Sequence, residues 1–131
     1  MKLCPCCSNK NYADCCAPFL DKGKNPETAE KLMRSRYTAY YLCKLDYIEK
    51  TMMGLALENF DKVSTLAWAK QVQWLGLKIC NTRNDQQEPN ISYVEFIAEY
   101  ELSGKIQTLH EISKFRRQNN VWFYVDGIIL D

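Results

Sequence analysis

Residues 4–16 of this 131-residue chain read CPCCSNKNYADCC, and five of the seven cysteines fall within this stretch. An odd number of cysteines argues against a framework of disulfides. Zinc binds thiolates tetrahedrally at about 2.3 Å, so four sulfurs must converge from two short segments. The predicted ligands are Cys4, Cys6, Cys15 and Cys16. A rival first pair is Cys4 and Cys7, which has the more usual spacing for zinc.

The predicted zinc site is structural, because four protein ligands leave no open position for a substrate. The head of the chain carries few apolar residues, so hydrophobic burial alone cannot fold it. Zinc binding can fold it, because the apparent binding free energy is roughly 10 to 16 kcal/mol in small zinc fingers. We therefore expect a zinc knuckle at 1–24 and a second domain at 25–131. Two thiol-based alternatives stay open: a redox pair of adjacent cysteines, and a redox or metal sensor at Cys7.

Composition excludes several classes of function. Hydrophobic residues make up 47% and charged residues 25% of the chain, a balance typical of folded proteins. With 17 basic and 16 acidic residues the net charge is +1, so nucleic-acid binding is not expected. No window of 18 apolar residues occurs, which argues against a membrane role. The cysteine content and the lack of an apolar secretion segment favour the reducing cytoplasm.

The region after the head is predicted to be helical from residue 25 to about residue 72. The first helix is expected to begin at Asn25, as the cap, and Pro26, in the first helical position, and to run to about Leu42. Arg36 interrupts the apolar stripe of this helix and points inward, whereas Arg34 points well away from that face.

The last zone, residues 74–130, alternates apolar and polar side chains with a period of two, which predicts strands with one buried face. Two-residue hairpin turns are expected at Ser103-Gly104 and at Asn119-Asn120. Helices followed by an antiparallel meander predict an α+β fold.

Glu111 lies on a mainly apolar strand face, and an inward Arg36 needs a carboxylate. The two are therefore predicted to meet in a buried bidentate salt bridge. Such a pair has one of two roles. It either fixes the orientation of the helix on the sheet, or it lets Arg36 bind an anion while Glu111 holds Arg36 in place. His110, the only histidine, faces the opposite side, and its spacing places no acid or nucleophile beside it, so a packing or surface role is expected.

The head resembles the SEC-C zinc knuckle, whose pattern is C-P-C-G-S-G-K, an aromatic residue, and then C-C or C-H. This chain departs from the pattern at Cys7 and Asn9, which both replace glycine. Later segments resemble the bacterial YchJ family: LMRSRYTAY at 32–40, WLGL at 74–77, VEF at 94–96, EISKF at 111–115 and WFYVDG at 122–127.

The resemblance implies a zinc knuckle followed by a domain similar to nuclear transport factor 2, a cone of helices on a strongly curved antiparallel sheet. Cones of this kind often enclose a pocket. The candidate pocket residues are Arg36, Tyr37, Trp74 and Glu111. By analogy with the knuckle of the SecA translocation motor, which contacts the SecB chaperone and ribosomes, the head is expected to dock a protein partner.

Two function hypotheses follow. The first is a non-enzymatic zinc-binding adaptor, whose knuckle docks a protein and whose cone is a scaffold or a pocket for a small anionic ligand. The second is a lyase, isomerase or hydrolase that uses Glu111 or Asp126, with Arg36 gripping an anionic substrate. The sequence identifies no acid-base dyad, and it names neither the partner nor the ligand.

Overall fold

The structure, a computed structural model, describes residues 2–130 of the chain. Five helices precede four strands, so the predicted α+β class is confirmed. The helices are α1 (Ala17–Leu20), α2 (Ala29–Tyr41), α3 (Leu45–Lys50), α4 (Leu55–Glu58) and α5 (Lys62–Gln71). The strands are β1 (Gln73–Asn84), β2 (Ile91–Leu102), β3 (Lys105–Gln118) and β4 (Val121–Leu130). None of the helices in residues 2–130 is both long and apolar enough to cross a membrane.

The four strands form one antiparallel sheet in the order β1-β2-β3-β4. Both predicted hairpin turns are present. Ser103 and Gly104 have φ of 53° and 79°, and Asn119 and Asn120 have φ of 53° and 64°. Positive φ at both central residues matches the twist of the flanking strands, and glycine and asparagine tolerate it best.

The sheet is curved, and irregular pairing contributes to its curvature. Two register shifts interrupt the pairing of β1 with β2, after Trp74 and after Ile79. A third interrupts the pairing of β3 with β4, after Lys114. An extra residue in one strand bends that strand and increases its local twist. The helices pack on the side of the sheet that carries the buried residues Val94 and Phe115.

Helix α2 begins later than predicted. The Thr28 hydroxyl accepts a hydrogen bond from the Lys31 backbone N–H at 3.1 Å, which makes Thr28 the cap. Asn25 and Pro26 therefore lie outside the helix, and the predicted start is wrong. Arg36 points inward as predicted, and its side chain is buried.

The loop that follows α3 is joined to the sheet. The Thr51 carbonyl accepts the backbone N–H of Tyr124 at 2.8 Å, and the Tyr124 carbonyl accepts the backbone N–H of Met53 at 3.1 Å. This short parallel bridge lies next to the register shift in β4. It holds the Tyr124 ring against the helices.

Candidate functional site

Four cysteine sulfurs converge at the head of the chain. The Sγ atoms of Cys4, Cys6, Cys15 and Cys16 all lie within 4.8 Å of one another. The Cys6 and Cys15 sulfurs are 3.6 Å apart, and those of Cys15 and Cys16 are 4.0 Å apart. Tetrahedral zinc with sulfur at about 2.3 Å places its ligands roughly 3.8 Å from one another. The donor set and its spacing therefore fit a zinc ion.

Cys7 lies outside this group. Its thiol is exposed, and its Sγ accepts the backbone N–H of Leu77 at 3.5 Å. Cys7 and Asn9 both have positive φ, of 66° and 67°. Glycine reaches this region without strain, which explains why the SEC-C pattern has glycine at both positions.

The electrostatics of the sulfur cluster favour a cation. Hydrogen bonds from the thiols of Cys16 and Cys4 hold the pKa of Cys6 far below its ordinary range. Burial raises the pKa of Cys15 to about 11, and hydrogen bonds to Cys4 and Cys6 raise that of Cys16. Without a cation, the close, partly buried thiols of the cluster therefore cannot all be ionised together. A divalent ion allows the other thiols to ionise as well.

Helix α2 supports the cluster from one side. The Thr38 hydroxyl donates to Cys16 Sγ at 3.4 Å. Arg34 Nη1 donates to the Cys6 carbonyl at 2.9 Å and lies 4.0 Å from Cys6 Sγ. Neither contact is predicted by the sequence, because the periodicity of a helix shows which face meets the core but not what covers another face.

A cavity of about 310 Å³ lies between the helices and the curved sheet. All four predicted pocket residues, Arg36, Tyr37, Trp74 and Glu111, line it. The rest of its lining is mainly aromatic and apolar: Met33, Tyr40, Met52, Trp68, Phe96, Ala98, Leu109, Ser113 and Tyr124.

Arg36 is held by the helices and not by Glu111. Its Nη1 donates to the Ile48 carbonyl at 2.9 Å and to the Thr51 hydroxyl at 2.7 Å. Its guanidinium carbon lies 4.7 Å from the centre of the Tyr124 ring. Within residues 2–130, Arg36 and Glu111 form no ion pair, so the predicted salt bridge is wrong. The hydrogen bonds of Arg36 to Ile48 and Thr51 are both made by the same guanidinium nitrogen, Nη1.

Glu111 is satisfied by hydroxyl groups of the sheet. Its Oε2 accepts hydrogen bonds from the hydroxyls of Ser113 and Tyr124. A Cβ atom at position 127 would lie 2.5 Å from this oxygen, so the glycine there leaves room for the carboxylate. Burial raises the pKa of Glu111. Tyr124 thus contacts Glu111 through its hydroxyl and Arg36 through its ring.

Trp74 is central to the aromatic wall of the cavity. Its ring centre is 5.4 Å from that of Tyr37, 5.7 Å from that of Trp68 and 5.3 Å from that of Tyr100. Its Nε1 is buried, and nothing in the described part of the chain accepts a hydrogen bond from it. Buried polar atoms are nearly always paired, so this unpaired donor is unusual.

Comparison with known proteins decides the family. A model of the middle, NTF2-like domain of YchJ matches residues 28–127. A UPF0225 protein of Geobacter sulfurreducens is 39% identical over 125 residues, which covers 95% of this chain and 78% of the relative. This chain belongs to the YchJ family. A UPF0225 protein of Actinobacillus succinogenes is 40% identical over 128 residues, which covers 97% of this chain and 82% of that relative.

Two solved structures resemble this YchJ-family chain over nearly its whole length. The solution structure of a SEC-C motif containing protein from Rhodopseudomonas palustris is 35% identical, has a TM-score of 0.87 and covers 98% of both chains. The crystal structure of a SEC-C motif containing protein from Psychrobacter arcticus is 29% identical and has a TM-score of 0.81. That match covers 98% of this chain and 82% of the other. The expected family is confirmed.

One expectation about the outer face of the sheet is wrong in this YchJ-family chain. His110 was expected to have no acid beside it, but its Nε2 lies 2.7 Å from Glu95 Oε2. The thiol of Cys80 lies close to both. The predicted Ser103-Gly104 turn sets the register of the β2–β3 hairpin. In this register His110 pairs with Ile97, which is two positions from Glu95.

The variant Glu111→Gln tests the burial of this carboxyl group. The pKa of Glu111 is higher in the folded protein than in the unfolded chain, where it is about 4.3. The free energy of unfolding of the wild type therefore falls as the pH rises above this unfolded-state pKa. Glutamine does not ionise, so the variant does not show this fall in unfolding free energy. We expect the difference in unfolding free energy, variant minus wild type, to increase with pH by about 1.4 kcal/mol per unit of pKa shift.

Urea denaturation at several pH values from acid to neutral measures this difference. Glu99→Gln, which changes an exposed glutamate on the neighbouring strand, is the matched control. If the difference in unfolding free energy between Glu111→Gln and wild type stays constant across the pH range, the pKa of Glu111 is not raised.

Proposed function

We propose that this protein is a non-enzymatic adaptor in which a zinc knuckle stabilises the cone and docks a protein partner. In this proposal, the cone binds a small anionic ligand with a flat apolar body. One observation carries the ligand-binding part: Trp74, whose buried Nε1 has no hydrogen-bond partner among the described residues, lines the same cavity as Arg36.

Support for zinc comes from the chemistry of the donor set. Four sulfurs at near-tetrahedral spacing leave no position for a substrate, so the ion has a structural role. Cys4, Cys6 and Cys16 belong to the same buried cluster as Leu32 of α2, so loss of the ion weakens the contact between knuckle and cone. A cytoplasmic location fits this role, because reducing conditions keep the thiols available for zinc.

Cys16→Ser is expected to lose about one equivalent of zinc per chain. We expect the free energy of unfolding to fall by more than about 4 kcal/mol, because metal loss is one of the few causes of effects that large. Elemental analysis and urea denaturation measure the two quantities. Cys43→Ser, which changes a half-buried cysteine outside the cluster, is expected to alter neither. A Cys16→Ser protein that keeps its zinc and its stability contradicts the proposal.

The chemistry of the cavity defines the ligand. A volume of about 310 Å³ lies at the lower end of the range for small-molecule pockets. Edge-to-face aromatic rings such as Tyr37, Trp68 and Trp74 form a wall suited to a flat apolar group. The guanidinium of Arg36 and the unpaired indole N–H of Trp74 are donors of the kind that suit a carboxylate or a similar anionic acceptor. A small aromatic carboxylate combines both properties.

Benzoate is a direct probe of this proposal. In a ¹H–¹⁵N NMR titration, we expect benzoate to shift the indole N–H signal of Trp74 saturably. The indole N–H of Trp122 already donates to the Glu27 carbonyl at 3.2 Å and is the internal control. Benzyl alcohol, which has the ring without the charge, is expected to bind at least about tenfold more weakly, since hydrogen bonds to charged groups contribute about 1.5–3 kcal/mol.

Two variants separate the contributions of the donors. Trp74→Phe keeps an aromatic ring but removes Nε1, so we expect weaker benzoate binding in a folded protein. Arg36→Met is expected to remove the preference for benzoate over benzyl alcohol. If benzoate at millimolar concentration shifts neither the Trp74 signal nor any other signal of the cavity, the proposed ligand class is wrong.

The docking part of the proposal rests on the resemblance of the head to the SEC-C motif. The exposed side of the knuckle offers Leu3, which is 63% exposed and is held by a backbone bridge to Asn11. An apolar side chain on a zinc-ordered turn is a suitable contact for a protein partner.

A photo-crosslinking amino acid at Leu3 is expected to form a discrete protein adduct in cells. The adduct should disappear when Cys16→Ser is added, because the turn then loses its order. The same amino acid at Val63, which is 81% exposed and lies on α5, is the control. The absence of an adduct at position 3, or identical adducts at both positions, contradicts docking through the knuckle.

One observation favours the enzymatic alternative. Glu111 combines a raised pKa with a place in the same cavity as Arg36, and such groups often serve as general acids or bases. A lyase, isomerase or hydrolase acting on a small anionic substrate would lose turnover in Glu111→Gln while still binding benzoate. Turnover of any such substrate that depends on Glu111 would replace the adaptor proposal.

A further inference from the structure

The outer face of the sheet carries a second group of metal-ligating side chains, on the side opposite the cavity. One ligand atom each of Cys80, Glu95 and His110 lies within 4.8 Å of the other two. Glu111 lines the cavity, and successive strand residues point to opposite faces, so His110 faces outward. The cluster is therefore separate from the cavity and from the knuckle.

Three adjacent strands supply the three residues. His110 on β3 pairs with Ile97 on β2, which places it diagonally across from Glu95. On β1 the pairing steps from Ile79–Phe96 to Asn81–Glu95. Cys80 is thus the extra residue of a β-bulge, a feature that commonly re-aims a side chain and is frequent next to functional sites.

The His110–Glu95 pair is close and partly protected from water. Nε2 and Oε2 are 2.7 Å apart, and the side chains are 28% and 29% exposed. The exposed Cys80 thiol completes a set of one nitrogen, one oxygen and one sulfur donor. Because all three lie on paired strands, their backbone positions are fixed, as a preorganised site requires.

We propose that Cys80, Glu95 and His110 bind one divalent transition-metal ion of the zinc, cobalt or nickel class. Imidazole and thiolate ligands select such ions, whereas magnesium and calcium prefer oxygen ligands alone. Tetrahedral ligand atoms lie roughly 3.5 Å apart at normal bond lengths, so rotation about side-chain bonds brings the three donors into range.

The proposed site differs from the knuckle in its chemistry. Three protein ligands leave a fourth position for water or an external ligand, which is the arrangement of exchangeable and catalytic zinc sites. The knuckle has four protein ligands and no such position. The outer site is therefore expected to take up and release its ion more readily.

Cobalt is the probe for this site, because its colour reports thiolate ligation. The full chain is first loaded with one equivalent of zinc and then titrated with Co²⁺. We expect a thiolate-to-cobalt absorption band in the near ultraviolet, with visible bands typical of four-coordinate cobalt, that saturates at one added equivalent. Elemental analysis of the protein at equilibrium with a small excess of Co²⁺, corrected for the free ion, is expected to give about two metal ions per chain.

Matched variants isolate the new site. Cys80→Ser is expected to abolish the cobalt band, and His110→Ala to weaken cobalt binding at least tenfold, whereas Cys43→Ser leaves both unchanged. All of these side chains are wholly or partly exposed, and circular dichroism checks that the variants fold. The difference between wild type and Cys80→Ser reports this site alone, whether or not the knuckle holds zinc.

Three results overturn the proposal. The first is the absence of a cobalt band in the zinc-loaded protein. The second is a cobalt band of the same intensity in Cys80→Ser as in wild type. The third is release of zinc in proportion to bound cobalt, since that identifies exchange at the knuckle.

Discussion

The convergence of four thiols, three of them buried, beside one helix is the constraint on which the rest of the structure depends. Cys6 and Cys16 are 0% and 1% exposed. Four negative charges in so small a volume repel one another strongly unless a cation lies between them. Helix α2 connects the sulfur cluster to the rest of the fold, because it contacts both the knuckle and the cavity. Arg34 and Thr38, one turn apart, contact the knuckle, while Arg36 on another face of the same helix lines the cavity.

The cavity is a second consequence of how helices and sheet are joined. Tyr124 is fixed by backbone hydrogen bonds to the loop after α3, and its side chain contacts both Arg36 and Glu111. The glycine at 127 leaves space for the Glu111 carboxylate, which a Cβ atom would occupy. The Tyr124 hydroxyl thus satisfies Glu111, while the Ile48 carbonyl and the Thr51 hydroxyl hold Nη1 of Arg36. A cavity of about 310 Å³ remains between the helices and the sheet.

Some of this architecture could be predicted from the sequence, because it is local. The turn residues at 103–104 and 119–120 set both hairpins, and helical periodicity put Arg36 inside. The salt bridge with Glu111 failed because periodicity gives direction but not distance, and Tyr124 contacts both groups. The Glu95–His110 pair could have been derived from the hairpin register. The position of Cys80 beside this pair could not have been derived in the same way. A bulge changes the pairing of β1 at this point, and the sequence carries no signal for the bulge.

Zinc K-edge X-ray absorption tests whether the four cysteines of the knuckle bind zinc as proposed. The measurement uses protein purified without chelators and loaded with one equivalent of zinc. We expect four sulfur neighbours at about 2.3 Å and no nitrogen or oxygen ligand. A first shell with fewer than four sulfurs, or a protein that does not retain the ion, would contradict the central claim that Cys4, Cys6, Cys15 and Cys16 together hold the head of the chain on the cone.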